Sequence, residues 1–230
     1  MPRDTLTREQ IVRAAVEILD AEGVEGLSMR RLGTRLGSAA TAVYWHVKSK
    51  ENLVVLAGDE VWGEVELPDP GEVGWRTAAT TMAHDTRAMI SRHPWLVTAM
   101  STHLMYGPGK ARRDDHCLAV FETAGFVGVE ADNASQTVLT YVLGTALSEV
   151  AEAAWRARLR RNGGDEEEQM REAMTQAGEI AMRFPRLRAR IEAWEDADSA
   201  EPLDQSFELG LKTILDGLEA QLTARPTPAG

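Results

Sequence analysis

The chain of 230 residues contains one cysteine, Cys117, so no disulfide can form within it and the fold must rest on its apolar core. A single free thiol suits a reducing compartment, and a cytoplasmic location is expected. Aromatic residues are scarce at 6%, while Ala, Leu, Glu and Arg abound, which favours helices over an all-β sandwich. No uncharged run reaches the roughly 20 apolar residues of a membrane span; Asn133 to Ser148, one such run, is also rich in Ser, Thr and Gln. The N-terminal MPRDTLTREQ lacks the apolar segment of a signal peptide. Secreted, membrane and fibrous readings are therefore not expected. What is present is ordinary for a globular protein, with 43% apolar and 27% charged residues.

The net charge of −11 argues against nucleic-acid binding until it is divided along the chain. Residues 1–50 hold eight Lys/Arg against six Asp/Glu, and the remainder holds 17 against 30. A mildly basic head on an acidic body can still meet phosphate, because potential acts locally, within about 8–10 Å at physiological salt.

Thr7 and Gln10 form a capping box, and Ile11, Ala14, Ala15, Ile18 and Leu19 follow at helical spacing up to Gly23. Ser28 caps a second short helix, with Leu32 and Leu36 turned inward and Gly37 stopping it. A third runs from Ala39 to His46 and buries Ala42 and Val43. Ser49 caps a fourth, carrying Leu53, Leu56, Val61 and Trp62, before Pro68, Pro70 and Gly71 break the chain. Helices are then predicted over 72–92, 94–104, 110–125, 130–160, 165–183, 186–196 and 203–223, with Asp165 and Glu168 forming a second capping box. No period-2 run suggests a strand, and the tail ARPTPAG is expected to fray.

The step from Arg30 to His46 has the requirements of a helix-turn-helix. Gly37 allows a tight turn, and Gly33 and Ala42 are small where two helices would cross. The segment Leu36-Gly-Ser-Ala-Ala-Thr-Ala-Val-Tyr-Trp-His-Val-Lys-Ser-Lys50 closely resembles the recognition helix of the TetR family of bacterial transcriptional repressors. Gly26-Leu27-Ser28-Met29-Arg30-Arg31-Leu32 resembles that family's second helix. The likeness covers about residues 7–60. Beyond Trp75 it is weaker, though His93-Pro94-Trp95 and the Gly-rich turn at 107–109 resemble the tetracycline-repressor branch. The resemblance implies an all-α homodimer that binds double-stranded operator DNA and is released by a small-molecule effector. The expected organisation is a helix-turn-helix head at 1–50, a linker helix at 51–66, an effector-binding and dimerisation domain at 67–224, and a disordered tail at 225–230.

Carried over residue by residue, the resemblance makes Tyr44 and Lys50 phosphate contacts, Lys50 adding its charge at the start of the fourth helix. Arg30 matches a position that can reach a base edge, where an Arg suits bidentate contact with guanine. Thr41, His46 and Lys48 are further backbone or base contacts. Ala39 and Ala40 depart from the longer polar residues common there, which limits direct readout to contacts such as a thymine methyl. Trp45 is expected in the core, because its bulk would lock the third helix down; Arg31 and Arg35 read as solvated surface.

Other chemistry is poorly supported. His116-Cys117 fits a small buried hydrophobe better than a nucleophile, and the His84-Asp85, His93 and His103 positions lack a compact metal spacing. No strand precedes Gly107-x-Gly109, so a phosphate loop is not expected; no catalytic set, cofactor or metal site is expected either. The rivals to a ligand-responsive regulator are an enzyme in the helical body and a non-specific architectural DNA-binding protein.

Two further expectations concern the body. Phe207, Leu211, Ile214, Leu215, Leu218 and Leu222 form one apolar stripe, with Gly210 and Gly217 beside it; Leu139, Val142, Leu143, Ala146 and Val150 form another. Their pairing with a second copy would build a four-helix dimer interface. An effector pocket is expected from the mixed residues Thr81, His84, Met100, His103, Met105, Thr137, Tyr141 and Trp155. The helix from Ser49 would relay a shift near Trp62 to the head.

Overall fold

A computed structural model describes residues 6–161, 166–195 and 203–224. Among these, every regular element is an α-helix. The head consists of α1 (Arg8–Gly26), α2 (Met29–Arg35) and α3 (Ala40–Val47), followed by the linker α4 (Lys50–Trp62). The body adds α5 (Pro70–Val73), α6 (Trp75–Arg92), α7 (Trp95–Thr102), α8 (Pro108–Ala124), α9 (Val129–Arg161), α10 (Glu166–Ala181), α11 (Pro185–Glu195) and α12 (Leu203–Thr223). Asp165 and the tail from 225 lie outside the described residues.

The head helices start where their caps dictate. The Thr7 hydroxyl accepts from the Gln10 N–H at 3.2 Å while the Gln10 side chain accepts from the Thr7 N–H at 2.9 Å, satisfying two orphan donors. Ser28 and Ser49 accept from the N–H groups of Arg31 and Asn52, at 3.2 and 3.0 Å. Ile11, Ile18, Leu19, Leu32, Val43, Val47 and Leu53 are at most 2% exposed and form the core of the head. Each such side chain contributes about 1.5–3 kcal/mol by leaving water.

The first helix does not end at Gly23. That residue adopts φ +70° and kinks the chain, and helix resumes as far as Gly26. The expected helix over 72–92 is divided at Gly74, whose φ of +80° separates α5 from α6.

Two compact units are present, Met1–Leu147 with Ile214–Gly230, and Ser148–Thr213. In the first, the linker is clasped by the turn at 106–109. The Asp59 carboxylate on α4 accepts from the Lys110 main-chain N–H at 2.9 Å, and Arg112 donates to the Gly63 carbonyl at 3.1 Å. A Cβ at Gly109 would stand 2.3 Å from the Asp59 carbonyl oxygen, so only glycine lets α8 begin this close to α4. Arg76 on α6 pairs with Asp216 and Glu219 on α12. In the second unit, Met174, Ile180, Phe184 and Leu187 are at least half exposed.

The apolar stripes expected to meet a second copy are largely internal. Phe207, Leu211, Leu215 and Leu218 are at most 7% exposed within the single chain, Ile214 and Leu222 are half-buried, and Leu139, Val142 and Ala146 are buried. The outward faces instead carry small residues and single leucines: Thr137, Thr140, Gly144 and Leu147 on α9, and Leu209, Thr213, Gly217 and Ala220 on α12. A Cβ at Gly144 or Gly217 would meet nothing within 4 Å. Periodicity identified the apolar faces but could not say that one chain has enough partners to cover them.

Candidate nucleic-acid interface

The turn between α2 and α3 fixes the outward face. Gly33 is buried at the crossing, where an added Cβ would lie 2.8 Å from the Ser38 carbonyl oxygen. The Ser38 N–H closes the turn by donating to the Gly33 carbonyl at 2.8 Å, and Gly37 takes φ +60°. Val43 and Val47 then anchor α3, and Asn52 Nδ2 donates to the Val47 carbonyl at 2.9 Å, tying the end of α3 to α4. Ala42 and Leu36 are half-buried rather than fully buried.

With those anchors inside, the opposite side of α3 faces out. Tyr44 is 48% exposed and Trp45 is 80% exposed, which overturns the expectation of a core tryptophan. In an eight-residue helix that buries Val43 and Val47, four apart, a residue two positions from each falls on the opposite face and has no inward row for its indole. The Trp45 ring instead meets His46 edge to face, with centroids 4.8 Å apart. Thr41 and Lys48 are exposed, His46 and Lys50 half-buried, and Arg30 exposed on α2. Lys48 has φ +66°, the one described non-glycine residue in the left-handed region.

The two other arginines of α2 are engaged elsewhere. Arg31 pairs with Glu22 and Arg35 with Glu17, both acids on α1. These pairs belong to a half-solvated surface and brace α2 against α1, as expected of non-reading arginines. Acids in the first turns of α1 and α4 are held below the usual carboxylate range. Glu9 is lowered chiefly by its own main-chain N–H and then by the Thr7 hydroxyl, Glu51 by its own main-chain N–H and then by the Ser49 hydroxyl.

A cluster absent from the sequence reading joins head to body. Asp20 on α1 accepts from the Trp95 indole N–H at 2.7 Å and stands 2.7 Å from His93 Nδ1. The other face of His93 lies 3.3 Å from the Glu64 carboxylate, which also accepts from Arg92 at 2.9 Å. Thus His93-Pro94-Trp95 is a joint between α7 and α1. The only sequence signal was the tripeptide itself, since its partners lie over 25 residues away.

The residues expected to form an effector pocket lie on α6, α7, α9 and the segment between α7 and α8. Thr81, His84, Met100, His103 and Tyr141 are half-buried, Thr137 is exposed and donates to the Asn133 carbonyl at 2.7 Å, and the side chain of Trp155 lies outside the described residues. Met105 is buried with its sulfur against α4, 2.6 Å from where a Gly58 Cβ would be. A void of 10 Å³ lies between α6, α8 and α9, beside Met82, Arg113, Cys117, Phe121, Ser135 and Val138. Burial pushes the Cys117 thiol up against the opposing pulls of Arg113 and Ser135, so it is a small hydrophobe and not a nucleophile. Among the described residues there is no group of side chains fit to hold a metal ion, and no helix is long and apolar enough to cross a membrane.

Comparison with known proteins agrees with this geometry. Residues 11–57 match the family described as bacterial regulatory proteins, tetR family, and residues 67–222 match the tetracyclin repressor-like C-terminal domain. The HTH-type transcriptional repressor DrrR1 of Streptomyces coeruleorubidus is 34% identical over 97% of this chain and 81% of its own. An HTH-type transcriptional regulator of Saccharopolyspora erythraea is 40% identical over 66% of this chain; the match spans 63% of that relative's length. The TetR family protein ActR of Streptomyces coelicolor, in complex with actinorhodin, superposes with a TM-score of 0.76 at 27% identity, covering 95% of this chain and 98% of its own. These relatives are regulators of transcription, not enzymes, which removes the helical-enzyme alternative. The chain belongs to the TetR family of bacterial transcriptional regulators.

Proposed function

We propose that this protein is a cytoplasmic, ligand-responsive repressor that binds a near-palindromic operator as a homodimer. The observation that carries the reading is the outward face of α3, where Tyr44 and Trp45 stand exposed beside Thr41 and Lys48 although both are large aromatic residues. Leaving an indole in water has no use in packing, whereas a groove floor of bases and sugars would cover it. Arg30 reads a base edge, Tyr44 and Lys50 hold phosphates, and Thr41, His46 and Lys48 complete the contacts. The head comprises 1–50, the linker helix 51–66 and the effector-binding and dimerisation domain 67–224.

Support for the homodimer comes from the apolar groups one chain leaves uncovered, among them Leu147, Phe184, Leu187 and Leu209. The dimer forms through the outward small-residue faces of α9 and α12, in place of the stripes that turn inward. Support for an effector comes from the ligand-bound ActR at 27% identity. Here the ligand enters the body among α6–α9, and Thr81, His84, Met100, His103 and Tyr141 remain the residues proposed to meet it. Met105 is assigned to the wall between that region and α4. Ligand entry shifts α4 and so changes the spacing of the two recognition helices; a coupling of about 1–3 kcal/mol lowers operator affinity roughly 5–150-fold.

Selection of bound duplexes from a random DNA pool, with and without apolar ring compounds, tests this reading. A convergent palindrome that is lost when a bound compound is present supports it. Enrichment without consensus would mark an architectural DNA-binding protein instead.

A further inference from the structure

Among the described residues, two donor atoms near one another in the body are buried without an acceptor. Trp62, at the C-terminal end of α4, is 1% exposed, and its indole Nε1 has no hydrogen-bond partner. Arg113, on α8, is 4% exposed, and its Nε likewise has none. The guanidinium carbon stands 5.6 Å from the centre of the Trp62 ring, and Lys110 Nζ approaches the same ring at 5.6 Å. The two cations share one carboxylate: Asp114 pairs with Lys110 and meets Arg113 Nη1 at 3.2 Å. That carboxylate is 43% exposed, so the acid stands toward water while the guanidinium stands inside. Native proteins seldom leave a buried donor unpaired, and a buried charged donor is the costliest kind to leave so. Since both orphan groups are donors, what satisfies them is an acceptor, and an anionic oxygen serves a guanidinium best.

We propose that the effector of this protein carries an acidic oxygen group on an apolar frame, and that this group binds between the Trp62 indole N–H and the Arg113 guanidinium. The inference rests on the ligand-responsive reading above and adds the ligand's chemical class and its anchor. Arg113 also lines the 10 Å³ void between α6, α8 and α9. A void of that size holds about one water, so the apolar frame enters by parting Met82, Cys117, Phe121 and Val138, of which Met82 adapts most easily. Opening is therefore coupled to filling the anion site. Because Trp62 ends the helix whose other end begins beside α3, an acceptor bound to its N–H acts directly on the head's support.

The test uses 2-naphthoate and its neutral counterpart 2-naphthamide as probes, with full-length protein labelled at the indole nitrogens. The wild type is expected to bind the acid at least tenfold more tightly than the amide. One indole N–H resonance, identified by its loss in Trp62→Phe, is expected to shift downfield with the acid only. Arg113→Met abolishes the preference and Arg113→Lys retains part of it, which a purely structural arginine would not produce. Equal binding of acid and amide, no binding of the acid at millimolar concentration, or an unchanged preference in Arg113→Met would overturn the proposal. Neutral ligands that bind and release operator without any acid preference would remove this inference and leave the regulator reading intact. An acid that binds at Trp62 without altering operator affinity would instead remove the ligand-responsive reading.

Discussion

The head turns an indole outward, and the body turns a guanidinium inward. Trp45 is 80% exposed and Arg113 is 4% exposed, the reverse of what either side chain does by its own transfer free energy. In the head the inversion arises from brevity: α3 has eight residues and its inward row is filled by Val43 and Val47. In the body it arises from convergence, since α4 and α8 are held together by Asp59 and Gly109 and trap whatever lies at their contact. These two inversions are where the proposed DNA and effector contacts lie.

The sharpest way to break this comparison is to remove one aromatic residue from each kind of site. Phe121→Ala, in the body core, is expected to cost about 3–5 kcal/mol in urea denaturation. Trp45→Ala should leave stability within about 0.5 kcal/mol yet lower affinity for DNA. A large stability loss from Trp45→Ala would return that residue to the core.

The next effect in size separates two glycines. Gly109→Ala places a methyl on the Asp59 carbonyl and should cost about 1–3 kcal/mol. Gly144→Ala points into open space within a helix and should gain about 0.5–1 kcal/mol in the monomer. Thermal denaturation of dilute samples compares them, and a reversed order would contradict the tight α4–α8 joint. Smaller again is Lys50→Ala, which should weaken all duplexes about equally and reduce the salt slope by about 1; anisotropy titrations at several salt concentrations measure it.

The smallest effect is acidic. Glu9 and Glu51 have native values below the ordinary carboxylate value, so their stabilisation is fully present above that ordinary value. It is lost as pH falls through the lowered native values. Glu9→Gln and Glu51→Gln should therefore melt below the wild type at neutral pH and converge with it in strong acid. Melting curves across the acid range check this, and a difference independent of pH would contradict it.

Much of the head was legible because its determinants are local. Thr7, Ser28, Ser49, Gly33 and Gly37 act within five residues of themselves, and each sits in the structure as the sequence predicts. Trp45 was misjudged because apolar bulk does not reveal which row of a helix has room. The body's helices were legible within a few residues at most ends, but their faces were not. The Phe207–Leu218 stripe finds its cover inside the chain, and the joint of Asp20 with His93 and Trp95 spans more than 70 residues. Trp62 was legible only as an inward residue and relay of the fourth helix, and Arg113 not at all, since the unmet indole and Nε donors show only once the chain is folded.

The central claim is that the outward face of α2 and α3 reads base sequence. Titrating the selected operator and a scrambled duplex with wild type and Arg30→Ala tests it most directly. The wild type should prefer the operator by about 10³-fold or more. Arg30→Ala should shrink that ratio by about 1–3 kcal/mol through loss at one base position, with little change on scrambled DNA. Equal affinity of the wild type for both duplexes, or an Arg30→Ala variant that loses both alike, would contradict it.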